Sequence, residues 1–92
     1  MSIDSSKLIV ITGASRGIGR AIALEFARRR PNPLLLVARD TAGLEETARL
    51  CRSGEAAPQV TCRPCDLSDE HAVEALITHN TSLFENLGML IN

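Results

Sequence analysis

The segment Thr12-Gly13-Ala14-Ser15-Arg16-Gly17-Ile18-Gly19 follows directly on the apolar run Leu8-Ile9-Val10-Ile11 and leads into an amphipathic stretch. An abrupt, β-branched apolar run of this kind reads as a strand buried on both faces, as in a parallel sheet. The glycines at such a junction each relieve a different steric problem. Gly13 permits a sharp exit from the strand, Gly17 removes a side chain from the path of an approaching ligand, and Gly19 lets the next helix lie close to the sheet. A helix that begins there offers unpaired N–H groups and about half a unit of positive charge, which suit an anion such as a pyrophosphate. The lysine and Ser/Thr pair of a nucleoside-triphosphate loop is absent, so the pattern is a variant of the dinucleotide fingerprint.

Downstream, the chain alternates between two periodicities. Residues 18–30 follow a helical pattern, with Ile18, Ile22 and Phe26 on one stripe and Ala21, Leu24 and Ala27 beside it, leaving Arg20, Glu25 and Arg29 for solvent. Pro31-Asn32-Pro33 ends that helix. Residues 34–38 form a second apolar run, and residues 44–52 a second helix with Leu44, Ala48 and Cys51 on one face, closed by Gly54. Residues 59–62 read as a third strand. Ser68 opens a third helix reaching about residue 84, with Asp69 and Glu70 in its first turn, and residues 89–91 begin a fourth strand. This βαβαβαβ order predicts an α/β fold, a Rossmann-type doubly wound parallel sheet with strand order 3-2-1-4 and right-handed crossovers. No repeat or linker divides it, so residues 1–92 are expected to be the N-terminal portion of a single dinucleotide-binding domain whose sheet is incomplete.

Composition narrows the partners. With 45% hydrophobic residues and a formal charge of −1, the chain has the balance of an ordinary globular domain rather than of a nucleic-acid binder. The cluster Arg28-Arg29-Arg30 is read as complementing a helix C-terminus. No apolar run approaches the about 20 residues that a membrane span needs. Residues 1–7 carry Asp4 and serines where a secretory leader would be basic and then apolar, so a cytoplasmic setting is expected, with Cys51, Cys62 and Cys65 reduced. The pair Cys62 and Cys65 lacks two further nearby ligands and follows a strand, so neither a metal nor a redox site is expected. His71 and His79 are assigned to the surface of the third helix. Ser5, Ser6 and Ser15 have no acid–base partner nearby in sequence.

In folds of this type, the residue at the end of the second strand meets the adenosine ribose. An acid there favours the 2′-hydroxyl of NAD, and an arginine accommodates the 2′-phosphate of NADP. Here that residue is Arg39, with Arg16 able to approach from the glycine turn. A shift of one residue would put Asp40 there and reverse the preference; both could also be simple solvated loop charges. After the third strand, Asp66 could accept from an adenine amino group while Leu67 lines the ring, or Asp66 could cap the third helix.

With these residues in place, the sequence resembles the short-chain dehydrogenase/reductase family over its whole length. TGASRGIG matches that family's TGxxxGxG at every fixed position, and Cys65-Asp66-Leu67 resembles its adenine-contacting site. GIGRAIALEFAR followed by LLLVARD is similar to the sepiapterin-reductase-type members, and Leu90-Ile91-Asn92 looks like the opening of the family's NNAG motif, cut after its first asparagine. The resemblance implies NADP(H) bound by Gly13, Ala14, Ser15, Arg16, Gly17, Ile18, Gly19, Arg39, Asp66 and Leu67. It also implies an oxidoreductase acting on a small carbonyl or alcohol substrate. The family's tyrosine–lysine relay, assisted by a serine, falls well beyond NNAG, whereas this chain has no tyrosine and a single lysine, Lys7. The expectation is therefore an active full-length parent, with the oligomeric state left open, and 92 residues that are inactive alone. The alternatives are a truncated non-catalytic isoform that binds nucleotide or a full-length partner, and a non-redox nucleotide binder, which the glycine spacing and Arg39 disfavour.

Overall fold

Apolar runs as continuous as Ile9-Val10-Ile11 and Leu34-Leu35-Leu36-Val37 cannot leave either face in water, and they take the two central places of a sheet covered on both sides. A computed structural model describes residues 4–92; the start of the stretch read against a secretory leader, residues 1–3, lies outside them. The elements follow in the order β1 (Leu8–Thr12), α1 (Gly17–Arg29), β2 (Leu34–Ala38), α2 (Thr41–Arg52), β3 (Val60–Pro64), α3 (Glu70–His79), α4 (Thr81–Phe84) and β4 (Leu87–Ile91). The four strands are parallel in the order β3-β2-β1-β4. This is the α/β sheet and strand order that the alternation predicts.

Strand alternation divides the interior into two cores. Ile9, Ile11, Leu34, Leu36 and Ala38 face α1 and α2, which meet them with Ala23, Ala27, Leu44, Ala48 and Cys51. Leu8, Val10, Leu35 and Val37 face the other way, against Ala72, Val73 and Leu76 of α3 and Leu83 and Phe84 of α4. Each leucine or isoleucine withdrawn from water contributes about 1.5–3 kcal/mol, so the central strands carry most of the stability. The first core is the better sealed, because α1 and α2 bury residues completely while α3 and α4 bury none. Strand β4 pairs with β1 through Ile9 with Met89, Val10 with Leu90 and Ile11 with Ile91, after an irregularity at Leu8. Its Met89 and Ile91 pack on the α1–α2 side, while Leu90, on the opposite face, is 58% exposed.

Several local readings shift. In α1 the buried face is Ala23 and Ala27, while Ile18 is 81% exposed and Ala21 is exposed. The buried stripe of α1 therefore begins after its first turn, later than the pattern implies. Helix α2 begins at Thr41 because the Asp40 carboxylate accepts from the Gly43 amide at 3.1 Å. Ser68 does not cap the third helix; Asp69 does, accepting from His71 and Ala72 amides at 3.0 and 3.3 Å. That helix also breaks at Asn80, whose side chain donates to the Leu76 carbonyl at 2.7 Å and accepts from Arg63 Nε at 2.9 Å, tying the helix end to β3. Among the described residues, no helix is long and apolar enough to cross a membrane.

The cap assignment has a direct check. Asp69→Ala should lower unfolding stability by about 1 kcal/mol, with Ser68→Ala within about 0.5 kcal/mol of the parent. Urea denaturation of the two variants measures both, and the reverse ranking would return the cap to Ser68.

Candidate functional site

Helix α1 begins at Gly17 behind Arg16, an extended residue that forms no side-chain cap, and its first turn holds no acid. Helices α2 and α3, by contrast, are each closed by an aspartate. The first bond into α1 runs from the Arg20 amide to the Arg16 carbonyl at 3.2 Å. The amides of Gly17, Ile18 and Gly19 precede it and have no intrahelical acceptor. The positive end of the α1 dipole is therefore not neutralised by any side chain of the turn.

The turn that aims this helix depends on its glycines for two reasons. Gly13 and Gly17 have φ of +63° and +57°, in the left-handed region, although a Cβ on either would meet no atom within 4 Å. Gly19 has the opposite constraint: a Cβ there would overlap the Gly13 carbonyl oxygen and lie 3.1 Å from Ala14 Cα. Its close approach is thus to the turn itself, a tighter partner than the sheet that the spacing suggests.

Because all four strands are parallel, the loops leaving β1, β2 and β3 meet at one edge of the sheet. They enclose an open groove of about 820 Å³ lined by Gly13, Ser15, Arg16, Gly17, Ile18 and Gly19 from the first loop. Ala38, Arg39 and Asp40 line it from the second loop, and Cys65, Asp66, Leu67 and Ser68 from the third. Every residue singled out in the sequence lies on this lining except Ala14. Ala14 is fully buried beneath it, its amide donating to the Val37 carbonyl at 3.3 Å and its carbonyl accepting from the Thr47 hydroxyl at 2.7 Å. Ile18 and Leu67, 81% and 43% exposed, give the groove apolar patches.

The charged residues separate by what they touch. Strand β2 ends at Ala38, so Arg39 is the first residue past the strand, exposed, while Asp40 is engaged with the α2 amide. Asp66 folds back on its own loop: one carboxylate oxygen accepts from the Ser68 hydroxyl at 2.7 Å and the Ser68 amide at 3.0 Å. It therefore caps no helix. The Ser68 hydroxyl first, then the Ser68 amide and the charge of Arg39, hold its carboxyl below the usual aspartate value. Asp66 stays an ionised acceptor until pH falls through that lowered value. At the end of β1, the Thr12 hydroxyl lies 2.8 Å from Asn92 Oδ1, linking the glycine turn to the end of β4.

The paired cysteines belong to different cores. Cys62 packs on the α1–α2 side and its thiol donates to the Leu44 carbonyl at 3.5 Å, whereas Cys65 joins the opposite cluster. Burial raises both thiol pKa values. Among the described residues, no group of three or more His, Cys, Asp or Glu side chains could hold a metal. His71 and His79 are exposed. Sequence reasoning missed Arg20, Gly43 and Thr47, which contact the underside of the glycine turn; Gly43 and Thr47 do so from a distance in sequence that no local pattern encodes. It also missed Ser68, for which the Asp-x-Ser spacing was an available signal.

The sequence profile of the family described as short chain dehydrogenase matches residues 7–92. Sepiapterin reductase of Chlorobaculum tepidum is 40% identical over 92 residues, covering 92% of this chain and 36% of that protein. L-sorbose reductase of Gluconobacter frateurii, solved with NADPH and L-sorbose, superposes with a TM-score of 0.82 at 34% identity over 95% of this chain and 32% of its own. An alcohol dehydrogenase of the archaeon Thermococcus sibiricus, solved with 5-hydroxy-NADP, gives 0.80 at 35% identity over 92% of this chain and 35% of its own. The chain thus spans about a third of the length of these relatives.

The two kinds of glycine should respond differently to a methyl group. Gly19→Ala should cost about 3 kcal/mol or prevent folding, because its Cβ meets backbone, while Gly17→Ala should cost only about 1–2 kcal/mol of left-handed strain. Denaturant titration of both variants gives the comparison, and a tolerated Gly19→Ala would disprove the contact.

Proposed function

The chain belongs to the short chain dehydrogenase family, and from that premise we propose that its groove holds NADP(H) for an oxidoreductase acting on a small carbonyl or alcohol substrate. The observation that carries this reading is the uncapped N-terminus of α1, opening on a groove that Arg16 and Arg39 also line. The free amides of Gly17, Ile18 and Gly19 and the helix dipole suit a pyrophosphate. The empty space beside Gly17 leaves room for it. The NADPH and 5-hydroxy-NADP complexes of the two structural relatives support the same class of ligand.

Arg39, standing where the second strand ends, is assigned to the 2′-phosphate, with Arg16 as the second cation. Asp40 does not compete for that place, since its carboxylate is committed to the first turn of α2. Asp66 is an ionised acceptor suited to an adenine amino group, with Leu67 beside it against the ring. When bound, the nicotinamide supplies or takes up the hydride. The residues described here bind and orient; they include no tyrosine, and Lys7 lies at the opposite end of β1 from the glycine turn. The proton relay is accordingly assigned to residues outside these 92, which alone are expected to be inactive.

Replacing Arg16 and Arg39 together by alanine in the whole protein should weaken NADPH binding by about 1–3 kcal/mol, several-fold to a few hundredfold. NADH affinity should stay within about twofold of the parent. Fluorescence titrations with the two cofactors read this difference, and equal losses would remove the assignment of Arg39 and Arg16 to the 2′-phosphate.

A further inference from the structure

Beneath the glycine turn lies a hydrogen-bonded cluster that the binding reading does not use. Thr47, fully buried on α2, lies with its hydroxyl 2.7 Å from the Ala14 carbonyl and 3.0 Å from the Gly43 carbonyl. The same hydroxyl accepts from Arg20 Nε at 2.8 Å. Arg20, which the helical pattern assigns to solvent, lies instead between α1 and α2. Its Nη2 donates to the Ser15 carbonyl at 2.6 Å and to the Gly43 carbonyl at 3.2 Å. Gly43 completes the cluster by absence: a Cβ there would lie 2.8 Å from both the Cβ and the carbonyl oxygen of Ser15. Two successive carbonyls of the turn are thus held from beneath, that of Ala14 by Thr47 of α2 and that of Ser15 by Arg20 of α1.

The consequence follows from peptide geometry. In a trans peptide, the C=O of one residue and the N–H of the next point in opposite directions, and among the described residues no peptide bond is cis. Holding the Ala14 carbonyl toward Thr47 turns the Ser15 N–H the other way, and holding the Ser15 carbonyl toward Arg20 does the same to the Arg16 N–H. Both Ser15 and Arg16 line the groove, while Thr47 and Arg20 do not. Among the described residues, no backbone acceptor takes either N–H.

We propose that Thr47 and Arg20 are positioning residues that hold the Ala14–Ser15 and Ser15–Arg16 peptides with their N–H groups toward the groove, extending the anion site beyond the first turn of α1. The inference rests on the nucleotide-binding reading above and adds to it. Each carbonyl, if released, could rotate toward the groove and set its negative end against the same anion. Thr47 cannot be replaced by an isostere without a hydroxyl, since one atom both accepts from Arg20 and donates to Ala14.

The test uses two ligands that differ in the pyrophosphate. Adenosine 2′-monophosphate offers its phosphate to the Arg39 and Arg16 side chains but no pyrophosphate to the backbone N–H groups of the turn, whereas NADPH offers both. In the whole protein, Thr47→Val should weaken NADPH about five- to thirtyfold, with adenosine 2′-monophosphate within about twofold of the parent. Thr47→Ser, which keeps the hydroxyl, should restore NADPH affinity. Arg20→Gln, at a less buried position, should reproduce the selective loss if Thr47→Val folds poorly. Calorimetric titration supplies the affinities and a thermal melt the stability. NADPH affinity unchanged in both Thr47→Val and Arg20→Gln overturns the proposal, as does a parallel loss of both ligands that follows the fall in melting temperature. A parent protein that binds neither ligand overturns the nucleotide-binding reading and this inference with it.

Discussion

The carbonyl of Gly13 stands where a side chain on residue 19 would begin, and the arrangement of the groove depends on that contact. It folds the start of α1 back against the chain that has just left β1, so the helix opens at the edge of the sheet rather than beyond it. Left-handed backbone at Gly13 and Gly17 makes the reversal short enough to do this. The unpaired amides of the first turn then arrive where the parallel strands also deliver Arg39 and Asp66. Without the close contact, the same residues would be present but would not share a groove.

The sheet supports this edge unequally. On the α1–α2 side, alanines at positions 23, 27 and 48 let the helices approach closely, and Leu44 and Cys51 fill the remaining space. That side also carries the Arg20–Thr47 cluster, so packing and hydrogen bonding together immobilise the underside of the glycine turn. The α3–α4 side is looser, with Val73, Leu76 and Phe84 only partly withdrawn from water. Burial and hydrogen bonding are thus densest beneath the turn.

Capping divides the acidic residues by task. Asp40 and Asp69 each cap a helix start, Asp40 by using one carboxylate oxygen on the Gly43 amide. Helix α1 has Arg16 at the corresponding position, which cannot accept from an amide. Its first amides therefore have no side-chain acceptor at the cap. Asp66 takes a third course, using one oxygen to bond Ser68 while remaining an anion at the groove.

The architecture was legible in the sequence because it follows from periodicity and from residues with one dominant conformational use. Unbroken apolar runs required a two-sided parallel sheet, the glycine spacing required a tight strand–turn–helix junction, and Arg39 followed from the end of the second run. Helix boundaries were less legible, since Ser68, Asp69 and Asp66 are all competent caps and only the path of the loop chooses among them. The tertiary structure alone decided that Ile18 faces the groove, that Arg20 is enclosed, and that Thr47 and Gly43 abut the turn. Local patterns record the conformation a segment prefers. Contacts of α2 with α1 and the turn join residues far apart in sequence, and they form only once the strands have brought the helices together.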